Sequence, residues 1–246
     1  MIAVILAAGR GVRFRPFSHT IPKGLIEIGG ATLLEHSLAK LAGHGISKAV
    51  VVIGHLGRMI REKLAERDRG MEILYAENHR YASTGSMYSF SMAKEMIDDD
   101  ALVLDGDLLY DRTAIGKVIA SGFENCTVVA DFSGSGDEVY VCTDGNGRLN
   151  WLGKQVPDNG KPQAEFVGIT KLSRRFLAKM FDRADHDDRQ GFSGHFFEDV
   201  LFQMNERHDD CPVHALYLRD LKWIDIDNES DYTRAATVVY PQMAQP

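Results

Sequence analysis

The chain has 246 residues, 44% of them hydrophobic and 26% charged, with a formal net charge of −7. This is the composition of a globular protein long enough to bury a full core, and its acidity argues against general binding to nucleic acid or membrane surfaces, so a basic cluster must be a local site. Cys126, Cys142 and Cys211 are widely spaced and form no CxxC pair, which points to reduced thiols rather than a zinc site or a disulfide framework.

Residues 2–6, IAVIL, are wholly apolar, as expected of a buried parallel strand. The run is too short to span a membrane and no basic residue precedes it, so it is not expected to be a signal peptide. Because no other stretch approaches the apolar length of a span, no membrane partner and a cytoplasmic location are expected. Residues 31–45 carry Leu33, Leu34, Leu38 and Leu41 at helical spacing and end in glycine. A second buried strand is predicted at 48–54, an amphipathic helix at 57–70, a strand at 71–76, a helix at 86–97 and a strand at 101–107 that runs into acids. Strands and helices alternating at this spacing predict βαβ units and a largely parallel sheet. Beyond about residue 123 the pattern changes to short strands, CTVVADF, EVYVCT, RLNWLGK and AEFVGITKL, with Asp144-Gly145-Asn146-Gly147 as a turn between two of them. Helices near 173–183 and 196–206, a strand at 213–218, the segment WIDIDN at 223–228 and a helix from Asn228 complete the chain. No linker interrupts it. The expected fold is α/β: a Rossmann-like three-layer α/β/α arrangement with a mostly parallel mixed sheet and a small antiparallel extension.

The loop after the first strand, LAAGRGVRFRP, is followed by IPKG and gathers Arg10, Arg13, Arg15 and Lys23. Loops at the carboxyl ends of strands are where open α/β sheets bind ligands. A dinucleotide fingerprint would need a third glycine after Gly9 and Gly11, and a Walker A loop would need G-K-[ST]; both are missing. A structural glycine turn would account for the two glycines but not for four cations. Cations and exposed backbone N–H groups together suit a triphosphate.

LAAGRGVRFRP…PK resembles the signature of the nucleotidylyltransferase family, whose members join an NTP to a phosphorylated acceptor and release pyrophosphate. The resemblance continues through GATLLEHSLAKLAGHGISKAVVVIGH, Asp105-Gly106-Asp107 and WIDIDNESDYTRA. Within that family, the modest length, with YASTGSMYSFSMAKE and GHFFEDVLFQM, resembles the cytidylyltransferases that act on phosphocholine or on small phosphonates such as 2-aminoethylphosphonate. The resemblance implies one nucleotidyltransferase domain over 1–246, with a nucleotide-binding half at 1–122 and an acceptor-binding half with a C-terminal helix at 123–246. The implied partners are CTP and a small phosphonate or phosphate acceptor. The oligomeric state is left open, a homodimer included.

The same resemblance distributes roles over the chain. Arg13 would grip the β- and γ-phosphates and Lys23 would stabilise charge on the α-phosphate. Leu6, Ala7, Ala8, Gly9, Arg10 and Gly11 would cradle the nucleotide, with Asp105 beside it. Asp107 and Asp227 match the family's paired metal ligands, with Asp225 beside them. Hard Mg²⁺, the expected cofactor, prefers one or two carboxylates plus phosphate oxygens. The loop Glu77–Ser86, with Ser83, Thr84, Gly85 and Ser86, is the expected base site, although its small hydroxyl residues would equally cap a helix. Asp231 lies three residues after Asn228, so part of the late acidity is a helix start. Lys154 is either a solvated lysine or a ligand for the acceptor's oxyanions.

For the acceptor's other end, Phe196 and Phe197 could form part of an aromatic cage with Tyr88, Tyr140 or Trp151, or Glu198 and Asp199 could hold a primary ammonium. Val139 stands in EVYVCT where phosphocholine relatives would have tryptophan, which favours an amino- or hydroxyalkyl phosphonate. Competing readings are a sugar-1-phosphate nucleotidylyltransferase, a D-x-D metal-dependent glycosyltransferase and a non-catalytic nucleotide-sensing subunit. The glycosyltransferase has no need of the first loop, and the sensing subunit should have lost Lys23 or the metal acids.

Overall fold

Side chains of β1 (Ile2–Ala7) alternate between two apolar clusters: Ile2 and Val4 face one, Ala3 and Ile5 the other. That period of two is what a strand buried on both faces requires. In the computed structural model, which describes residues 1–13, 20–66, 70–156 and 160–243, β1 pairs in parallel with two later strands, β4 (Lys48–Ile53) and β6 (Ala101–Asp105). β4 pairs in parallel with β5 (Glu72–Glu77) at the edge. Between β1 and β4 lie a short turn at Lys23–Leu25, a small hairpin of β2 (Glu27–Ile28) and β3 (Ala31–Thr32), and helix α1 (Leu33–Gly43). Thr32 and Glu35 close α1 with a reciprocal capping box, satisfying backbone donors that a helix start otherwise leaves unpaired.

The antiparallel material arrives after β6. Short β7 (Leu108–Tyr110) and helix α4 (Thr113–Ala120) precede β8 (Asn125–Ala130), β9 (Tyr140–Thr143), β10 (Leu149–Gly153) and the nine-residue β11 (Ala164–Leu172). β11 runs antiparallel to β6, β8 and β9, and β9 to β10. Helices α5 (Arg174–Arg189) and α6 (Phe197–Arg207) follow, and β12 (Val213–Tyr217) adds in parallel to β8. Among the described residues this makes one nine-stranded mixed sheet. β13 (Trp223–Asp225) pairs with β7, and α7 (Glu229–Arg234) continues through a wider turn at Ala235–Val239.

Helix α2 (Gly57–Ala65) joins α1 and α4 over one face of the sheet; α3 (Ser86–Ser91), α5 and α6 cover the other. The three-layer α/β/α fold is therefore the one expected, and the sheet is parallel through its N-terminal strands and antiparallel beyond them. None of the described helices is long and apolar enough to cross a membrane.

Three local differences from the sequence reading have physical causes. The helix expected over 86–97 stops at Ser91, where the Ser91 hydroxyl bonds back to the Tyr88 carbonyl, a contact that competes with the helical ladder. The helix expected to end near 183 runs to Arg189, supported by an i,i+4 pair of Arg183 with Asp187. α4 was not anticipated, because TAIGKVIA holds a glycine and four β-branched residues; its burial of Ala114, Ile115 and Val118 outweighs that.

Phe90 of α3 is fully buried, stacked on Phe181 of α5 and edge-on to Phe197 of α6. It holds three helices together. Phe90→Ala should destabilise the fold by about 3–5 kcal/mol, read as a lower urea midpoint. An unchanged midpoint would mean that the three helices collapse onto the vacated space.

Candidate active site

The cationic side chains of the first loop meet the two late acid pairs at one point. β1 and β6 are neighbours, so Leu6 and Asp105 stand side by side at their carboxyl ends. The β7–β13 pairing then sets Leu108 opposite Asp225, and the Ile226 N–H bonds the Asp107 carbonyl at 3.1 Å. Asp107 and Asp225–Asp227 are thus adjacent despite more than a hundred intervening residues. Asn228 and Asp231 form a capping box at the start of α7, and Asp231 also accepts the Asp227 N–H at 3.1 Å. The helix start foreseen at Asp231 thereby fixes the backbone of Asp227.

Lys23 points into this cluster from the turn after Pro22. Its ammonium lies 3.0 Å from Asp107 Oδ2 and is paired also with Asp227 Oδ1. Burial opposes its charge, but Asp107 and Asp227 outweigh burial and hold its pKa above the ordinary lysine range. Arg13 Nη2 lies 2.6 Å from the other Asp227 oxygen, and Nη1 pairs with Asp137. Burial again opposes and the carboxylates prevail, raising the guanidinium pKa.

For Asp225 and Asp105 the Lys23 ammonium offsets burial and like charge only in part. Asp225 is pushed up to about 7, first by burial and then by the charges of Asp107 and Asp227. Asp105 is raised well above the carboxylate range by burial, then by Asp107, Glu198 and Asp225. Asp105 packs against Gly168, whose φ of +83° sits at an irregularity of β11 where its register against β8 shifts. A Cβ at Gly168 would overlap Asp105 Oδ2, so both the backbone conformation and the close approach require glycine there.

Most of these groups line a cleft of about 750 Å³. Leu6, Ala8, Gly9, Arg10, Gly11 and Arg13 line it, as do Thr84, Gly85, Ser86, Asp105, Asp107, Lys154, Phe196, Glu198, Asp225 and Asp227. Ala7 and Lys23 line an adjoining recess of about 100 Å³ that shares Asp107 with the cleft. Arg15 lies outside the described residues.

Four residues expected in the site do not reach the cleft. Glu77 is exposed and paired with Arg61 at 3.2 Å. Ser83 is exposed and its hydroxyl bonds the Arg80 carbonyl. Phe197 is 3% exposed and packs on Phe90, the core role that a phenylalanine opening a helix more often has. Asp199 does not line the cavity. Of the proposed cage partners, Tyr88 lies under the Arg80 guanidinium, Tyr140 packs on Phe132 and Trp151 on Phe202, all outside the cleft.

Several lining residues were not foreseen. Asp137 pairs with both Arg13 and Lys154; burial would raise its pKa, but those two cations bring it below the usual value. Glu165, pushed up by burial, accepts the Ser133 N–H and hydroxyl at 2.6 and 3.0 Å. Tyr81, Phe166 and Trp223 add aromatic surface. The GSGDE run around Asp137 reads as an ordinary polar loop, and no local signal marks it.

Glu198 enters from the first turn of α6, and burial followed by Asp199 raises its pKa. Lys154, the cation whose field acts on it, is committed to Asp137. The cleft therefore combines cations that suit polyanions with the Glu198 carboxylate and the exposed ring of Phe196.

Asp107 and Asp227 offer only hard oxygen donors and already converge on one cation, the Lys23 ammonium. Among the described residues no three His, Cys, Asp or Glu side chains are arranged to hold a metal unaided. Two converging carboxylates that leave the other coordination positions to phosphate and water fit Mg²⁺.

The sequence profile of the Nucleotidyl transferase family matches residues 2–131, and the chain belongs to that family. It is 35% identical over 119 residues to a CMP-5'-(3-aminopropyl)phosphonate synthase of Streptomyces rubellomurinus, a match covering 48% of this chain and 19% of that protein. Over 94% of this chain and 97% of the other, it is 24% identical to a CTP:phosphoglutamine cytidylyltransferase of Campylobacter jejuni. The solved inositol-1-phosphate CTP transferase from T. maritima shares the fold, with a TM-score of 0.80, 19% identity and coverage of 99% and 98% of the two chains.

Crowding of like charge at Asp105, Asp107, Asp225 and Asp227 makes a specific expectation for stability. In metal-free buffer above neutral pH, Asp225→Asn should stabilise the protein by about 0.5–2 kcal/mol, read as a higher thermal midpoint. An unchanged or lower midpoint would show that Asp225 is fully compensated within the fold.

Proposed function

We infer that the protein transfers CMP from CTP to a small phosphonate or phosphate acceptor, with 2-aminoethylphosphonate or a close homologue as the best fit, and releases pyrophosphate. The observation that carries this reading is the convergence of Lys23 and Arg13 on Asp107 and Asp227 beside a cleft that Glu198 also lines. The names of the Streptomyces and Campylobacter relatives support cytidine as the nucleotide and a phosphonate or phosphate as the acceptor.

In the proposed step an acceptor oxygen, already ionised at neutral pH, attacks the α-phosphorus. The new P–O bond forms as the bond to the β-phosphate breaks, and pyrophosphate leaves with the electron pair. No general base is required, and two anions must be brought together, so positioning and charge stabilisation supply the catalysis. Arg13 turns from its carboxylate partners to the β- and γ-phosphates. Lys23 stabilises the charge developing on the α-phosphate oxygens. Thr84, Gly85 and Ser86 lie along the cleft where a base would sit. Lys154 receives the acceptor's oxyanions once Asp137 releases it. Asp107 and Asp227 would hold Mg²⁺, which when bound supplies further neutralisation of the phosphates.

A phosphocholine acceptor is the second reading. It is favoured by Phe166, Phe196 and Trp223 in the cleft lining, since aromatic faces attract a quaternary ammonium. The preference for a primary ammonium rests on Glu198, because such a group can donate a charge-assisted hydrogen bond to the carboxylate and trimethylammonium cannot.

Pyrophosphate release assayed with CTP or UTP against 2-aminoethylphosphonate, phosphocholine and glucose 1-phosphate tests the reading directly. CTP with the aminophosphonate should give the highest kcat/KM. A clear preference for phosphocholine would move the head-group site to the aromatic residues, and transfer of a sugar without pyrophosphate would overturn the reaction class.

Lys23→Ala should lower kcat by roughly two to three orders of magnitude, the scale of losing one preorganised charge stabiliser; near-normal turnover would remove Lys23 from the chemistry. Glu198→Gln should raise the acceptor KM by roughly ten- to a hundredfold, the scale of a hydrogen bond to a charged group, with the CTP KM unchanged. Equal effects on both substrates would place Glu198 elsewhere in the mechanism.

A further inference from the structure

The two sides of the cleft are joined behind it. Residues 193–197 lie across the N-terminus of α3: the Gly85 N–H bonds the Ser193 carbonyl at 2.8 Å and the Met87 N–H bonds the His195 carbonyl at 3.2 Å. The approach is so close that a Cβ at Gly85 would overlap the His195 carbonyl oxygen. Helix α6 begins at the end of this segment. Its N-cap residue, Phe196, supplies no side-chain cap. The missing acceptor comes from α3, where Ser86 Oγ accepts the Phe197 N–H at 2.7 Å. A side chain of the nucleotide-side loop thus caps the helix whose next residue is Glu198.

Arg80 ties the same two segments from outside. It does not line the cleft. Its Nη1 donates to Asp188 at 2.8 Å and to the Tyr88 hydroxyl at 3.3 Å, and Nη2 donates to Ser193 Oγ at 3.2 Å, with the guanidinium over the Tyr88 ring. An exposed ion pair alone contributes little, but a planar guanidinium shared among three acceptors and a ring fixes a direction. The segment is anchored from α5 as well, where buried Asp187 takes both oxygens to Arg183 and its carbonyl accepts the Phe192 N–H. The shape of the 78–84 loop does not depend on the Arg80 side chain. Buried Asn78 holds it, accepting the Arg80 backbone N–H at 2.8 Å and donating to Thr84 and Ser89 at 3.0 and 2.9 Å.

We propose that Arg80 and Ser86 are positioning residues that set the acceptor-side start of α6 from the nucleotide-side loop, Ser86 by capping the helix and Arg80 by strapping the segment that leads into it. Neither role needs contact with the acceptor. Loss of Arg80 loosens residues 188–196 and lets Phe196 and Glu198 shift, while Asn78 keeps the nucleotide-side loop in place. The kinetic part of this proposal rests on the transferase reading; the structural part does not.

Amide hydrogen exchange and substrate kinetics on the wild-type chain, R80A, R80K and S86A separate the two. In R80A, exchange across 193–199 should speed by about tenfold, the scale of losing a charge-assisted hydrogen bond, with the sheet strands unaffected. The acceptor KM should rise by about the same factor, and the nucleotide KM should stay within about twofold. R80K should recover part of both effects, because an ammonium meets Asp188 but cannot fork to Ser193 and Tyr88 as well. S86A should speed the same amides by about tenfold, as expected for loss of a helix cap. Wild-type exchange over 193–199 in R80A, or a parallel rise of both KM values, overturns the proposal. If the wild-type chain releases no pyrophosphate with any acceptor, the transferase reading falls, and the exchange data alone decide whether the tie exists.

Discussion

An ammonium group held between two carboxylates draws three distant parts of the chain to one point. Lys23 comes from the first loop, Asp107 from the end of the β6 region and Asp227 from the entrance to α7, and the pairing of β7 with β13 brings the last two together. The arrangement is charged in excess of its own balance. Lys23 and Arg13 together face Asp105, Asp107, Asp225 and Asp227 from the same cleft, so several acids are held against one another, and Asp225 rises to about 7 because of it. A fold retains such a cluster at the expense of stability. The excess is the kind that a cation and a polyanion bound together would complete.

The rest of the molecule supports that cluster from a distance. The central strands are apolar on both faces and leave their carboxyl ends free for polar side chains, which is where the first loop and Asp105 emerge. The antiparallel strand β11 carries the one backbone irregularity that lets Asp105 pack beside it. Helices α3, α5 and α6 are fastened around Phe90, and α3 and the start of α6 reach the cleft through Ser86, Ser89 and Glu198. Much of the charge in the cleft is thus held at the ends of strands, and Phe196 and Glu198 reach it from a helix start.

The cleft combines a carboxylate with aromatic surface, and the two differ in how far the sequence marks them. Glu198 is readable in the sequence as an acid in the first turn of a helix. Phe166 and Trp223 belong to strands far from it and gave no hint of facing the same space, whereas Tyr88, Tyr140 and Trp151, which looked equally suitable, are turned into packing contacts elsewhere. An aromatic side chain satisfies a core as readily as a ligand, so its residue type alone does not say which. Asp137 makes the same point for charge. Its loop is unremarkable as sequence, yet its carboxylate pairs with two of the cations that line the cleft.

The sequence by itself determined the layered α/β architecture, since alternating apolar strands and amphipathic helices permit few other arrangements. It also singled out the charged residues that meet in and beside the cleft. A basic glycine loop behind a buried strand and two acid pairs ending later strands are unusual enough in composition to be read as chemistry. Only the tertiary structure decided which acids face Lys23, because the β7–β13 pairing and the capping box at Asn228 join segments that no periodicity connects. It alone decided that Glu77, Ser83, Phe197 and Asp199 stay out of the cleft. Ser83, Phe197 and Asp199 each sit next to a residue that enters, and the direction of a side chain on a turn or helix start is set by packing against neighbours remote in the chain. It alone decided, too, that a serine of the nucleotide-side loop would cap the helix carrying Glu198, a contact between residues 111 positions apart for which a local capping pattern has no sign.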